Sequence, residues 1–367
     1  MKLFSRIHRQ RLRVMLLAAA LVFAFTGCSG GGSATPASSG AASGSDKAGE
    51  LNLFVWTEYM PGSVFQAFTE ETGIKVNVQT YSSNEDMLAK VKASNEGLYD
   101  VVVPSDYMVK MMAAAGLLEK LDHEKLPNMA NIGKAYLNQS FDPGNEYSVP
   151  YMGGVAALVV NKSVVTEEIT SYKQLFDPKY ASSIVALNDF RAVIGMTAKS
   201  LDYSLNTTDD AELAQVASAM EQLKPNIAML DSDSPKSALL SGEASIGYVW
   251  NAEIAIAMNE SEDFDVVFPE EGCYLFLDNL SVLKGAKNPE NALAFLDFIM
   301  RPEISKMVSE EFPYLNPNEK AVELLPDSYK NSKASNIPPE VIANGEYVED
   351  IGEDVAKYDE IWTSFTS

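Results

Sequence analysis

The chain has 367 residues, 46% hydrophobic and 22% charged, which is ordinary for a globular protein and long enough for two domains with filled cores. Without residues 1–27, 23 basic residues stand against 51 acidic ones, a net charge of −28. This charge argues against nucleic acid as a partner and is compatible with a cationic ligand, although bulk charge mainly sets solubility and steering.

The first 27 residues have the order of an export signal. A basic stretch ends at Arg13, an apolar run too short for a comfortable membrane span follows, and Gly27-Cys28 comes next. This end resembles a lipobox, which predicts cleavage at residue 27 and a lipid on Cys28; an ordinary signal peptide with an incidental cysteine is the alternative. Residues 28–49 are rich in Gly, Ser and Ala and predict a flexible tether. We therefore expect export and anchoring at the outer face of the cytoplasmic membrane, in the periplasmic space if a second membrane exists.

From residue 51 the hydrophobic pattern alternates between strand and helix periods. The predicted strands cover 51–55, 74–80 and 99–104, and the predicted helices cover 62–72, 84–95 and 105–115, with Ser105 as the cap of the last. This order is typical of a mainly parallel sheet covered by helices.

A second set of elements follows. Its predicted strands cover 155–160, 183–187, 244–250, 265–268 and 275–283, and its predicted helices cover 191–201, 209–223 (capped by Thr208), 234–241, 289–300, 302–310, 318–324 and 351–365. We predict an α/β fold of two lobes, with central, mainly parallel sheets flanked by helices and two crossovers near 151–154 and 276–278. Lobe 1 is assigned 50–153 plus 277–323, and lobe 2 is assigned 154–276 plus 324–367. The Gly153-Gly154 pair is either part of a hinge or a tight turn.

The sequence offers little catalytic chemistry. His123 is the only histidine after residue 27, so a histidine metal site or a Ser-His-Asp triad has almost nothing to draw on. Phosphate-binding Gly-Lys-Ser/Thr and Gly-x-Ser-x-Gly motifs are missing, and residues 231–234 lack the glycine and distal glutamate of a calcium loop. We expect no metal, no cofactor and no enzymatic activity, although a glycosidase-like carboxylate pair stays open.

Six motifs in one order give the chain a family resemblance. They are LFVWTEY at 53–59, FTEETGIKV at 68–76, YDVVVPSDY at 99–107, NEYSVPY at 145–151, GYVWN at 247–251 and NGEY at 344–347. Together they resemble the spermidine/putrescine-binding proteins of bacterial ABC importers, from about residue 50 to the end. The resemblance implies a two-lobed, type II periplasmic-binding fold and a monomer that delivers a polyamine to permease subunits.

The resemblance also implies a set of ligand-contacting residues. They are Trp56, Thr57, Glu58, Tyr59, Ser105, Tyr107, Asp189, Trp250, Asp278 and Tyr314. Aromatic faces cover methylenes and attract cations, and carboxylates pair with ammonium groups. Taken singly, most of these residues have a plainer explanation as core aromatics, helix caps or a surface acid. Asp278 is the exception, because an acid within an apolar run is costly unless it is paired.

Three positions depart from the spermidine-binding pattern. Ala192 replaces a glutamate, Val348 replaces a glutamine and Phe276 replaces a tryptophan. Phe276 with Asp278, and the acid at Glu253, are closer to the putrescine-binding branch, and our hypothesis is that Glu253 and Asp278 each take an ammonium group. The ligand is thus expected to be putrescine or spermidine. A same-fold receptor for another organic cation, such as a quaternary amine, and an exported enzyme are the alternatives.

Overall fold

The structure, a computed structural model, describes residues 49–94 and 96–367. The predicted signal at 1–27, the lipid on Cys28 and nearly all of the tether lie outside the described residues. Within the described part of the chain, no helix combines the length and apolar character needed to cross a membrane.

The strands and helices follow the predicted alternation closely. The strands are β1 Glu50–Trp56, β2 Lys75–Tyr81, β3 Val101–Val102, β4 Ser148–Asn161, β5 Ile184–Ala186, β6 Ile227–Leu230, β7 Ile246–Trp250, β8 Phe264–Val267, β9 Tyr274–Val282 and β10 Glu346–Tyr347. The helices are α1 Gly62–Thr72, α2 Asn84–Ala93, α3 Asp106–Ala114, α4 Phe190–Ser200, α5 Asp210–Leu223, α6 Lys236–Ser241, α7 Asn251–Glu260, α8 Pro289–Ile299, α9 Pro302–Glu311, α10 Glu319–Leu324, α11 Asp327–Asn331, α12 Pro339–Asn344 and α13 Val355–Thr366.

One ten-stranded sheet carries the fold, in the order β2-β1-β3-β9-β4-β7-β5-β6, with β10 beside β9 and β8 beside β4. The two ends of the sheet, β2-β1-β3 and β7-β5-β6, are parallel. Between them, β4 and β9 are antiparallel to each other and to their neighbours β7 and β3. The predicted two-lobed α/β class is therefore confirmed, with parallel strands within each lobe and antiparallel strands where the lobes join.

The core of the first lobe shows why its strands are almost continuously apolar. Leu51, Leu53 and Val55 of β1 are buried on one face and Phe54 on the other, because helices cover both faces of a parallel sheet. Phe68 of α1 contributes to this core by packing edge-on against rings of α8, with centroid distances of 5.1 and 5.2 Å. The helix α8 also packs against β1, whose carboxyl end carries the first cleft residue, Trp56.

The structure excludes one of the two alternatives for the Gly153-Gly154 pair. Gly153 and Gly154 do not form a tight turn: they lie inside β4, paired with Leu277 and Phe276 of β9. A side chain at Gly154 would overlap the Asn251 amide, so this position needs a residue without Cβ.

The cap of α5 is also corrected. Thr208 does not cap this helix; the Asp209 carboxylate accepts from the backbone N–H groups of Ala211 and Glu212 at 2.8 and 3.0 Å. Since α5 begins at Asp210, Asp209 occupies the position from which a side chain reaches the free N–H groups of the first turn.

Candidate functional site

A cleft lies at the carboxyl ends of the parallel strands, in the place where open α/β sheets hold their ligands. Loops after β1, β2, β3, β5, β6 and β7 reach it, and β9 crosses it. Its volume is about 510 Å³, counting the open solvent at its mouth. The lining residues are Trp56, Thr57, Tyr59, Tyr81, Ser82, Asn84, Ser105, Asp189, Ser232, Asp233, Trp250, Tyr274, Phe276, Asp278 and Tyr314.

Asp278 is the most buried acid of this lining, with 4% of its surface exposed. One carboxylate oxygen accepts from the Ser105 hydroxyl at 2.5 Å, and the other accepts from the Tyr59 hydroxyl at 2.6 Å. Burial raises the pKa of Asp278 to about 7, against the opposing effect of these two hydrogen bonds. Among the described residues no Lys or Arg forms an ion pair with it. The floor of the cleft thus carries a buried carboxyl group that a cation would stabilise in its charged form.

Asp189 lies where α4 begins. Its carboxylate accepts from the backbone N–H of Ala192 at 3.0 Å and therefore caps the helix, while the residue also lines the cleft. Burial raises the pKa of Asp189, and the nearby Arg191 guanidinium opposes that rise. The Arg191 guanidinium donates hydrogen bonds to the Asn206 side chain and to the carbonyl of Glu349. Among the described residues it forms no ion pair with Asp189.

Aromatic rings surround the acids. Phe276 contacts Trp250 and Tyr314 edge-on, with centroid distances of 5.2 and 5.9 Å, and Tyr59 lies 5.0 Å from Tyr314. These rings form one wall of the cleft, with β9 carrying Phe276 two residues before Asp278.

A second group of cleft rings is held by a shared backbone acceptor. The Trp56 indole N–H and the Tyr81 hydroxyl both donate to the carbonyl of Val103, at 2.8 and 2.5 Å. The two rings lie 4.7 Å apart. Because the protein satisfies both polar atoms, neither ring needs a polar partner from a ligand.

Three residues expected at the ligand do not line the cleft. The carboxylates of Glu58 and Glu253 both hold the ammonium group of Lys236, at 2.9 and 3.1 Å. The Tyr107 hydroxyl donates to Glu85 at 2.8 Å. The hypothesis that Glu253 takes a ligand ammonium stays a prediction; in this structure the chain itself supplies a cation at this carboxylate.

The role of Ser105 is also revised. It occupies the residue before α3, but its hydroxyl does not cap the helix. The Ser105 hydroxyl donates instead to the Asp278 carboxylate. It accepts a hydrogen bond from the side-chain amide N–H of Asn84 at 2.9 Å. Ser105 thus orients the central carboxylate of the cleft.

Six lining residues were not predicted: Tyr81, Ser82, Asn84, Ser232, Asp233 and Tyr274. Most of them follow the carboxyl ends of β2 and β6, and this topological rule was the available signal. Among residues 49–94 and 96–367 there is no cluster of three or more His, Cys, Asp or Glu side chains poised to hold a metal ion.

A two-lobed α/β fold with an acidic, aromatic cleft at the strand ends defines a small-molecule-binding protein of the periplasmic type. Residues 63–337 match the family described as bacterial extracellular solute-binding protein, and the chain belongs to this family.

Two relatives and one solved structure resemble the chain over most of its length. The chain is 39% identical over 313 residues to the spermidine/putrescine-binding periplasmic protein of Escherichia coli strain K12, covering 85% of this chain and 90% of that one. It is 33% identical to spermidine/putrescine-binding periplasmic protein 1 of Haemophilus influenzae, covering 84% and 87%. Its fold matches the solved structure of a putative spermidine/putrescine ABC transporter from Listeria monocytogenes with a TM-score of 0.84, at 33% identity over 86% of this chain and 98% of that one. The family resemblance drawn from the motifs is confirmed.

Proposed function

We propose that this protein binds a polyamine, putrescine or spermidine, in its cleft and delivers it to the permease subunits of an ABC importer. The observation that carries the proposal is Asp278, a buried carboxyl with two neutral hydrogen-bond donors and no ion-pair partner among the described residues. Relatives at 33–39% identity are named for binding these amines.

The chemistry of the cleft matches a flexible chain with an ammonium group at each end. Asp189, Asp233 and Asp278 supply anionic acceptors, and the rings of Trp56 and Trp250 supply faces for methylenes and cations. A buried ammonium group is tolerated only if an acid pairs with it. The described residues that line this cleft include acids but no Lys or Arg, so these acids are available for the ammonium groups of a ligand.

A quaternary amine suits this site less well. It has no N–H group to donate to the carboxylates, so it would leave Asp278 buried without a cationic donor. Glycine betaine also carries a carboxylate of its own, which the acids of the cleft repel. The number and burial of the carboxylates therefore favour a primary amine.

The remaining parts of the proposal concern the lobes and the anchor. Lobe 1 comprises 50–153 plus 277–323, and lobe 2 comprises 154–276 plus 324–367. The two crossovers, near 151–154 and 276–278, support this division because they lie side by side, with Gly153 paired to Leu277. The packing of α13 against α4 and α5 also supports it. We infer that the protein is a monomer, is not an enzyme, and is anchored outside the cytoplasmic membrane through a lipid on Cys28.

Calorimetric titration with putrescine, spermidine, spermine and glycine betaine tests the proposed function. We expect at least one polyamine to bind with a Kd well below that of glycine betaine. Heat from glycine betaine alone would favour the quaternary-amine receptor, and no binding by any polyamine would refute the proposal. X-ray scattering should show a smaller radius of gyration with ligand if the two lobes close on it.

A further inference from the structure

Lys236 places an ammonium group of the chain itself beside the cleft. Its Nζ lies 2.9 Å from Glu58, 3.1 Å from both carboxylate oxygens of Glu253 and 3.0 Å from the Ser234 hydroxyl. The Lys236 side chain is 18% exposed and that of Glu253 only 5%, whereas that of Glu58 is 45% exposed. Two carboxylates thus converge on one partly buried point, which is the arrangement of a cation site.

Electrostatics keep this lysine charged. Burial acts to lower the pKa of Lys236, but its hydrogen bond to Glu58 and the charge of Glu253 outweigh that effect and raise the pKa above its ordinary value. Without the lysine, Glu253 would be a buried acid without a counter-charge, which is unfavourable. A cation between Glu58 and Glu253 therefore stabilises the buried Glu253 carboxylate in its charged form.

This cation site adjoins the cleft. Thr57, next to Glu58, lines the cleft, and so does Asp233, three residues before Lys236. Burial raises the pKa of Tyr314, another lining residue, and the charges of Glu253, Asp278 and Glu58 raise it further. The carboxylates that hold Lys236 are thus close enough to act on the cleft wall.

The backbone at Glu58 is unusual as well. Its φ of 48° lies in the left-handed region, which residues with a long side chain rarely adopt. Such a conformation persists only where the surroundings over-determine it, and it concentrates at ligand sites and switches. Here it accompanies a contact between the loop after β1 and α6, which come from opposite ends of the sheet.

We propose that Lys236 is a specificity-determining residue, which occupies the Glu58–Glu253 cation site and thereby favours a diamine over a triamine. The inference rests on the proposed function. With the lysine in place, Asp278, which is buried, and Asp189, which is half-buried, remain for ligand ammonium groups, because Asp233 is exposed to solvent. Without it, the third ammonium group of a longer amine can pair with Glu58 and Glu253.

The test compares Kd values for putrescine and spermidine, measured by calorimetry at one salt concentration. The Lys236→Met variant removes the charge and keeps much of the apolar stem. We expect its spermidine-to-putrescine affinity ratio to rise at least about tenfold, since a regained charge pair is worth more than about 1.4 kcal/mol. The Lys162→Met variant is the matched control, because it removes a surface ion pair with Asp265 at 3.2 Å. It should keep the wild-type ratio within about twofold.

Two further variants separate charge from folding. Lys236→Arg keeps the cation and should keep the wild-type preference. In a Lys236→Met/Glu58→Gln double variant the cation site loses one acid, and the gain for spermidine should shrink.

An unchanged affinity ratio in folded Lys236→Met would overturn the inference, and so would an equal weakening for both amines, which would make Lys236 only a contact between lobes. If the Lys236→Met variant does not fold, the spermidine-to-putrescine affinity ratio of a Lys236→Gln variant is measured in its place. Wild-type protein that binds neither amine would refute the proposed function, and the inference with it.

Discussion

Replacing Asp278 by asparagine should stabilise the ligand-free protein and weaken ligand binding. Asp278 is 4% exposed, and among the described residues its carboxylate accepts hydrogen bonds only from the Ser105 and Tyr59 hydroxyls. Its pKa of about 7 in the folded protein lies above the ordinary value of 3.8. A group whose pKa is raised by folding contributes stability below its unfolded pKa and loses that contribution as the pH rises through its folded pKa.

The magnitude follows from that difference. Ionising this buried carboxyl costs the folded state on the order of 4 kcal/mol relative to the unfolded chain, at about 1.4 kcal/mol for each unit between the two pKa values. Asparagine removes the charge but hydrogen-bonds less strongly to the two hydroxyls. We therefore expect a net gain of roughly 1–3 kcal/mol at pH 8, or a few degrees in Tm. The same substitution should weaken polyamine binding at least about tenfold, because the ligand ammonium loses its buried counter-charge.

Thermal unfolding without ligand and calorimetry with ligand measure the two effects. Asp100→Asn is the matched control, since Asp100 is a fully buried acid away from the cleft that accepts four hydrogen bonds from Asn52 and Asn288. Its substitution should lower the Tm and leave the affinity of the folded protein unchanged. The reasoning is refuted if Asp278→Asn lowers the Tm or keeps wild-type affinity.

Three other substitutions or conditions give further checks. Polyamine affinity should fall about tenfold from pH 8 to pH 6, because Asp278 takes up a proton near pH 7, and calorimetry of Asp278→Asn should show no such fall. Trp250→Ala should raise the Kd at least about tenfold by removing an aromatic wall, and an unchanged Kd would mean that the ligand lies elsewhere. Gly154→Ala should lower the free energy of unfolding, measured by urea titration, by about 1–3 kcal/mol, because the new Cβ meets Asn251. Gly62→Ala, with open space around it, should not lower it. Equal effects of the two substitutions would contradict the close packing of β4.

The sequence was most informative where hydrophobic periodicity was strong. The predicted helices at 62–72 and 302–310 agree with α1 and α9 to within a residue, because each has one apolar face on the core. The helix α7 was missed. Most of its first seven residues are buried, so it has no polar face to create a period of 3.6.

The cleft was predictable in part for a similar reason. Trp56, Asp189 and Trp250 follow strands that could be recognised, so the motifs placed them at the correct edge of the sheet. Ser232 and Asp233 follow β6, a half-exposed four-residue strand without a clear sequence signal.

The role of Lys236 was beyond sequence reasoning. It lies 17 residues from Glu253 and 178 from Glu58, and only the fold brings the three together. Both acids were expected at the ligand because no sequence pattern shows that a lysine of the chain already holds them.

A crystal structure grown with putrescine would test the central claim most directly, since it shows where the ammonium groups lie. The account predicts one nitrogen within about 3 Å of the Asp278 carboxylate, the distance of a charge-assisted hydrogen bond. It also predicts that the methylenes lie against the rings of Trp56 and Trp250. A diamine bound away from Asp278, or a cleft that holds none at saturating concentration, would contradict it.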